Sequence, residues 1–157
     1  VARSLAGNQK RNFIAVLKGT AEKDNFNNFE TCRVLCLNRF GSVLQSSDLL
    51  MKGLFTDLVP WKDGYLLVVN FLVFTSPEGE NIYSQAKDGG FNVLLAFLNE
   101  KGEIYSALPV FSKEPVYATA AEPAGDKKIK IRGISGNYRF SSEMEISGGQ
   151  PWEYVLD

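Results

Sequence analysis

The sequence predicts an all-β chain assembled from repeated antiparallel strand units. Three observations carry that expectation. Short apolar runs rich in β-branched and aromatic residues alternate with Gly, Asn and Asp clusters along the whole chain. Helical periodicity is nearly absent. A segment of the first half returns in the second half at a fixed offset of 61 residues.

Taken in order, strands are expected near 12–21, 31–38, 42–48, 54–60, 65–75, 91–98, 103–110, 115–121, 128–134 and 138–146. The first contains the apolar stretch Phe13-Ile14-Ala15-Val16-Leu17. Between the third and fourth, Ser47 to Leu54 is expected to form a single helical turn at most. The fifth holds the longest apolar run, Tyr65 to Phe74. At ten residues it is too short for a membrane-spanning helix, and its β-branched and aromatic content suits a buried strand. In the ninth, Lys128, Lys130 and Arg132 share one face as a solvated outer surface, with Ile129 and Ile131 turned inward. Many short strands at regular spacing suit a propeller, a sandwich or a barrel.

The repeat is anchored at two corners. Asn38-Arg39-Phe40-Gly41 and Asn99-Glu100-Lys101-Gly102 align, with Leu37 over Leu98 and Val43 over Ile104. Both read as hairpin turns, Gly supplying positive φ and Asn bonding its own backbone. Gly64 and Gly125 each follow the corner glycine by 23 residues, and Asp63-Gly64 and Gly125-Asp126 are turn signals of the same kind. The domain expectation is one all-β region over 1–157, with units near 12–64 and 65–125 and a partial unit over 126–157.

Composition narrows the function. Seventeen basic against eighteen acidic residues give a net charge of -1, which offers no electrostatic case for nucleic acid or anionic membrane as partner. The chain has no histidine, so Ser-His-Asp and Cys-His mechanisms are excluded and imidazole metal ligation with them. Cys32 and Cys36, four apart on one strand, would lie about 13 Å from each other. A disulfide needs Cα atoms within about 7 Å, so two small buried thiols are expected. No metal and no cofactor is expected. The chain begins Val1-Ala2-Arg3 rather than with Met, which suggests a processed or excerpted chain.

Candidate site residues are few. Trp61, in Pro60-Trp61-Lys62-Asp63-Gly64, and Trp152, in Gln150-Pro151-Trp152-Glu153-Tyr154, sit beside turns. There an aromatic ring can stack on a sugar or anchor a peptide, or simply close the end of the core. Trp61, Asp63 and Trp152 are therefore the ligand-binding candidates. Tyr83, Phe91, Tyr105 and Tyr117 are expected to pack on strand faces. Glu143 and Glu145 are spaced as a carboxylate pair on one strand face, at about the 7 Å that glycosidases use. Glu78-Gly79-Glu80 reads as a loop. Asp24, Asn25, Asn27, Asn28 and Glu30 gather oxygen atoms without an EF-hand spacing.

One resemblance follows from these motifs. Lys62-Asp63-Gly64-Tyr65-Leu66-Leu67-Val68, followed by Asp88-Gly89-Gly90-Phe91-Asn92-Val93-Leu94-Leu95-Ala96-Phe97-Leu98-Asn99-Glu100-Lys101-Gly102-Glu103-Ile104-Tyr105, resembles a bacterial β-propeller repeat over roughly residues 30–135. In such repeats a DGGY-type turn leads into an apolar strand, and a strand-turn-strand ending in Trp completes the blade. Here Leu44 and Tyr105 stand near the Trp position, the glycine before Tyr65 is single, and the second turn is Ala124-Gly125-Asp126. The resemblance implies a propeller fragment, with a β-sandwich as the alternative architecture. It also implies an exported protein and a non-catalytic binding or scaffolding role toward a protein or glycan. Assembly with further blades or copies belongs to the same expectation. The alternatives are a carbohydrate-active enzyme using Glu143 and Glu145, and a β-sandwich assembly subunit whose apolar strands complete a neighbour's sheet.

Overall fold

The computed structural model describes residues 2–7, 13–20, 30–140 and 146–157. The described chain is all-β, with antiparallel strands throughout and a single 3-10 turn at Lys87–Gly89. β1 (Ala2–Gly7), β2 (Phe13–Thr20), β3 (Glu30–Leu37), β4 (Val43–Trp61), β5 (Gly64–Thr75), β7 (Asn92–Leu98) and β8 (Ile104–Val110) lie side by side in chain order. Between the last three, β6 (Asn81–Tyr83) adds to the end of β5. A second sheet has the order β11 (Ile146–Leu156), β10 (Ile129–Phe140), β9 (Val116–Pro123). No closed ring of blades is seen among the described residues.

β4 differs most from the sequence expectation. Two strands separated by a helical turn were expected; one strand of 19 residues is found. Its first half pairs with β3 and its second half with β5, and Met51 has partners on both sides, Glu30 and Phe74. Cross-strand pairing overrides the local turn signal: Asp48 stands opposite Arg33 and accepts from its Nε at 2.7 Å. Leu49 and Met51 turn inward while Leu50 is exposed. Bulges at Lys52/Gly53 and Phe55/Asp57 bend the strand, and Gly53 lets β5 cross close by, since a Cβ there would lie 2.0 Å from the Asn70 carbonyl oxygen.

The apolar run of β5 is explained by burial on both faces. Tyr65, Leu67, Val69 and Phe71 enter one core cluster with Cys32, Val34, Cys36, Leu94 and Leu98. All members of that cluster belong to the large sheet, which therefore curls around its own apolar face. Leu66 and Val68 point the other way and meet Val93, Leu95, Ala118, Ala121, Ile129 and Ile131, so the three-stranded sheet covers the opposite face. A strand covered on both sides has no polar face to alternate with, hence the unbroken run.

The two Asn corners are the same structure twice. Asn38 Oδ1 accepts from Phe40 N and Ser42 N at 2.9 and 3.0 Å, and Asn99 Oδ1 accepts from Lys101 N and Glu103 N at the same distances. Gly41 and Gly102 have φ of 81° and 80° and each donates to the corner Asn carbonyl. Asp63-Gly64 departs from the expected turn chemistry. Lys62 takes the left-handed conformation, at φ 51°. Gly64 is required instead for space, since a Cβ would lie 1.9 Å from the Leu98 carbonyl oxygen.

Other expectations are adjusted. Tyr83 and Tyr105 are each 63% accessible, Tyr105 with its ring 6.4 Å from that of Phe97, whereas Phe91 and Tyr117 are half-buried with ring centroids 5.9 Å apart. β1, β6 and β11 were not expected, being short, flanked by polar residues or interrupted by Gly148, Gly149 and Pro151. The strand expected at 138–146 is divided: β10 ends at Phe140 and β11 starts at Ile146. The Lys128, Lys130 and Arg132 face is solvated as expected and is neutralised by Asp157, Glu153 and Glu122.

Candidate functional site

An opening lies where the β4–β5 turn meets the β9–β10 connection. β4 ends on Pro60-Trp61, and Trp61 pairs with Gly64 across the two-residue turn Lys62-Asp63. Opposite, the 124–128 loop is closed by Ala124 N donating to Lys128 O at 2.9 Å, with Gly125 at φ 99° and Lys127 at φ 58°. The two turns are tied together by the Trp61 indole, whose Nε1 donates to the Lys127 carbonyl at 3.0 Å. Between them is an open depression of about 440 Å³ lined by Trp61, Lys62, Asp63, Pro123, Lys127 and Lys128, among others.

The chemistry of this depression is cationic. Lys62 Nζ stands 4.1 Å from the centroid of the Trp61 ring, a cation–π contact. The same indole packs on Phe97, with centroids 5.2 Å apart, and joins the second core cluster. Trp61 is thus engaged at its N–H, by the Phe97 ring and by the Lys62 ammonium, and it closes the end of the core rather than offering a bare stacking platform. Lys128 pairs with Asp157 at 3.1 Å. Among the described residues Lys62 and Lys127 make no ion pair. Both hold a backbone conformation that costs a non-Gly residue about 1 kcal/mol or more, and such residues cluster where function positions a side chain. Asp63 is exposed beside them.

The three sequence candidates do not converge. Trp61 and Asp63 share the depression; Trp152 does not line it. Trp152 lies across from Gly133, where a Cβ would come within 2.4 Å of its ring, and packs on the second cluster. It borders a separate apolar groove of about 400 Å³ with Val93, Leu95, Leu108, Val110 and Tyr154. Its buried Nε1 has no hydrogen-bond partner among the described residues. Glu143, Glu145, Asp24, Asn25, Asn27 and Asn28 lie outside the described residues, as does the side chain of Glu30. Glu78 and Glu80 are exposed on the Ser76–Glu80 turn. Among the described residues no three His, Cys, Asp or Glu side chains gather as a metal site, and no helix is long and apolar enough to cross a membrane. Cys32 and Cys36 are both free and buried, and burial pushes the Cys36 thiol up against the opposing influence of Lys101.

Sequence reasoning missed the two lysines. Lys62 was visible in the Trp-Lys-Asp-Gly turn, but its convergence with Lys127 depends on two hairpins 65 residues apart meeting through one indole hydrogen bond. It also missed Asn70, for which a signal existed: one amide side chain in the middle of a ten-residue apolar run. Comparison with protein families, characterised proteins and solved structures finds no match to this chain.

Proposed function

We propose that the chain is a non-catalytic binding module that holds a protein or glycan at the rim built from the β4–β5 and β9–β10 turns. One observation carries this reading: Lys62, Asp63 and Lys127 face one open depression whose walls are fixed by the Trp61–Lys127 hydrogen bond. The side chains are polar and exposed, while the turns that present them are tied down, the arrangement expected of a preorganised recognition surface. Of the two architectures expected, the covering of one sheet by the other supports the β-sandwich, and the duplicated Asn corners support the propeller repeat. An exported location rests on the propeller resemblance alone.

The test is a titration of the full chain with panels of trisaccharides and hexapeptides, followed by Trp fluorescence and calorimetry. Saturable binding that weakens in Lys62→Glu and Lys127→Glu, with thermal midpoints unchanged, is expected. A chain that binds no member of either panel contradicts the reading.

A second reading, an assembly subunit, is favoured by β8. This edge strand carries no charged residue, and Leu108, Val110 and the following Phe111 are each more than two-fifths exposed. Such an edge is a template for pairing with another chain, moderated here by Pro109. Sedimentation equilibrium decides it: a chain that remains monomeric at high concentration excludes this role.

A further inference from the structure

We infer that the Trp61–Lys127 depression takes an acidic saccharide, a sugar bearing one carboxylate beside vicinal hydroxyls. The inference rests on the binding-module reading and names its ligand. It starts from what the indole no longer offers. With Nε1 bonded to Lys127 O and one ring face under Lys62 Nζ, Trp61 offers a neutral sugar ring neither a free N–H nor a bare face on that side. Recognition passes to the charged groups around it.

Those groups are of two kinds. Lys62 and Lys127 are exposed ammoniums without an ion-pair partner among the described residues, and together they suit an anion. Asp63 belongs to the same rim and accepts hydrogen bonds only. A bare sulfate or phosphate would gain from the lysines and be repelled by Asp63. A sugar acid satisfies both, its carboxylate meeting the ammoniums and its hydroxyls donating to Asp63.

An acidic peptide fits less well. An extended peptide gains affinity by pairing its backbone, and this rim has little backbone to pair. Pro60 and Pro123 have no N–H, Ala124 N is bonded to Lys128 O, and Lys127 O is taken by the indole. What remains free is the side-chain chemistry that reads a compact ligand.

The experiment titrates the full chain with trigalacturonate, with the same trisaccharide after reduction of its carboxylates, with hexaglutamate and with inorganic sulfate, at low and at physiological salt. Trigalacturonate is expected to bind at least ten-fold tighter than its reduced form, and more weakly as salt rises. Lys62→Gly and Lys127→Gly remove the charges while relieving the left-handed backbone. They are expected to weaken binding at least five-fold without lowering the thermal midpoint. Asp63→Asn is expected to weaken trigalacturonate and to strengthen sulfate. Equal binding of the reduced trisaccharide, or tighter binding of hexaglutamate, overturns the acidic-saccharide inference and leaves the binding-module reading standing. Sulfate bound as tightly as trigalacturonate, or Asp63→Asn without effect on the sugar, overturns it likewise. A chain that binds none of the four, and nothing in the broader panels, overturns both.

Discussion

Asn70 grips Ala118 at both of its backbone polar atoms. The Ala118 N–H donates to Asn70 Oδ1 at 2.7 Å, and Asn70 Nδ2 donates to the Ala118 carbonyl at 2.9 Å. Both residues are fully buried, one in each sheet. The second amide hydrogen of Asn70 reaches Thr56 Oγ1 at 2.8 Å, and Thr56 in turn donates to Ala118 O at 2.9 Å. Asp57 Oδ2 adds a bond from Ala121 N at 3.1 Å. Side chains of the large sheet thus cap the outer edge of β9, where unpaired backbone would otherwise be buried.

Asn70→Leu is therefore expected to destabilise despite matching its apolar neighbours. It leaves the Ala118 N–H buried and unpaired, an effect of about 2–4 kcal/mol when the lost bonds are included. Thr56→Val, which leaves the two-pointed contact intact, is expected to lose roughly 1 kcal/mol. Urea unfolding of both variants measures this; equal losses would show that the amide is not the clamp.

Two glycines are expected to respond differently to the same substitution. Gly64→Ala drives a Cβ onto the Leu98 carbonyl and forces β5 from β7, with an expected loss of about 3 kcal/mol. Gly41→Ala meets no atom within 4 Å and suffers only its φ of 81°, with an expected loss of about 1–2 kcal/mol. Gly41→Asn is expected to recover part of it, since Asn tolerates that conformation. Thermal midpoints rank the three, and an order other than Gly64→Ala lowest contradicts the account.

The acid limb of stability is expected to depend on Glu103. Its carboxyl is held below the usual glutamate range by the hydrogen bond from Gln45, then by that from Asn99. Asp48 is held low by its hydrogen bond from Arg33. A depressed folded-state pKa contributes stability above the unfolded value and loses it as pH falls through the folded one. Between about pH 5 and pH 2, wild type should therefore lose stability faster than Glu103→Gln. Both groups are exposed, so the difference is small and is best read as a shift of the Glu103 side-chain resonance midpoint. A midpoint at or above the ordinary glutamate value removes this contribution.

Both thiols are expected to resist modification in the native state. Cys32 and Cys36 are buried in the first core cluster, and a thiol held neutral by burial is a poor nucleophile. A disulfide-exchange reagent at neutral pH should label neither within the time in which it labels both in guanidinium. Rapid labelling of Cys36 in the folded chain would place it outside the core.

The sequence conveyed the strand class and the two Asn corners because these are encoded locally: period, apolar run and an Asn-x-x-Gly turn need no distant partner. It did not convey β4 as one strand. Ser46, Ser47 and Asp48 look like a break until Arg33 stands opposite. Nor did it separate the roles of Gly41 and Gly64, one chosen for its dihedral angle and the other for the carbonyl pressed against it. For the site, Trp61 and Asp63 were legible as turn residues. The cationic character was not, because Lys127 arrives from another hairpin and its carbonyl takes the Trp61 indole N–H.

β4 serves two neighbours in succession, β3 along its first half and β5 along its second. A chain nicked in the exposed Lys62-Asp63 turn would therefore yield two pieces, each lacking the strand that completes its main pairing. Neither piece would be a self-sufficient folding unit, and mixing them should restore the native spectrum by fragment complementation. Recovery on mixing would make the 61-residue spacing of the Asn corners a spacing of turns rather than of independently folding units.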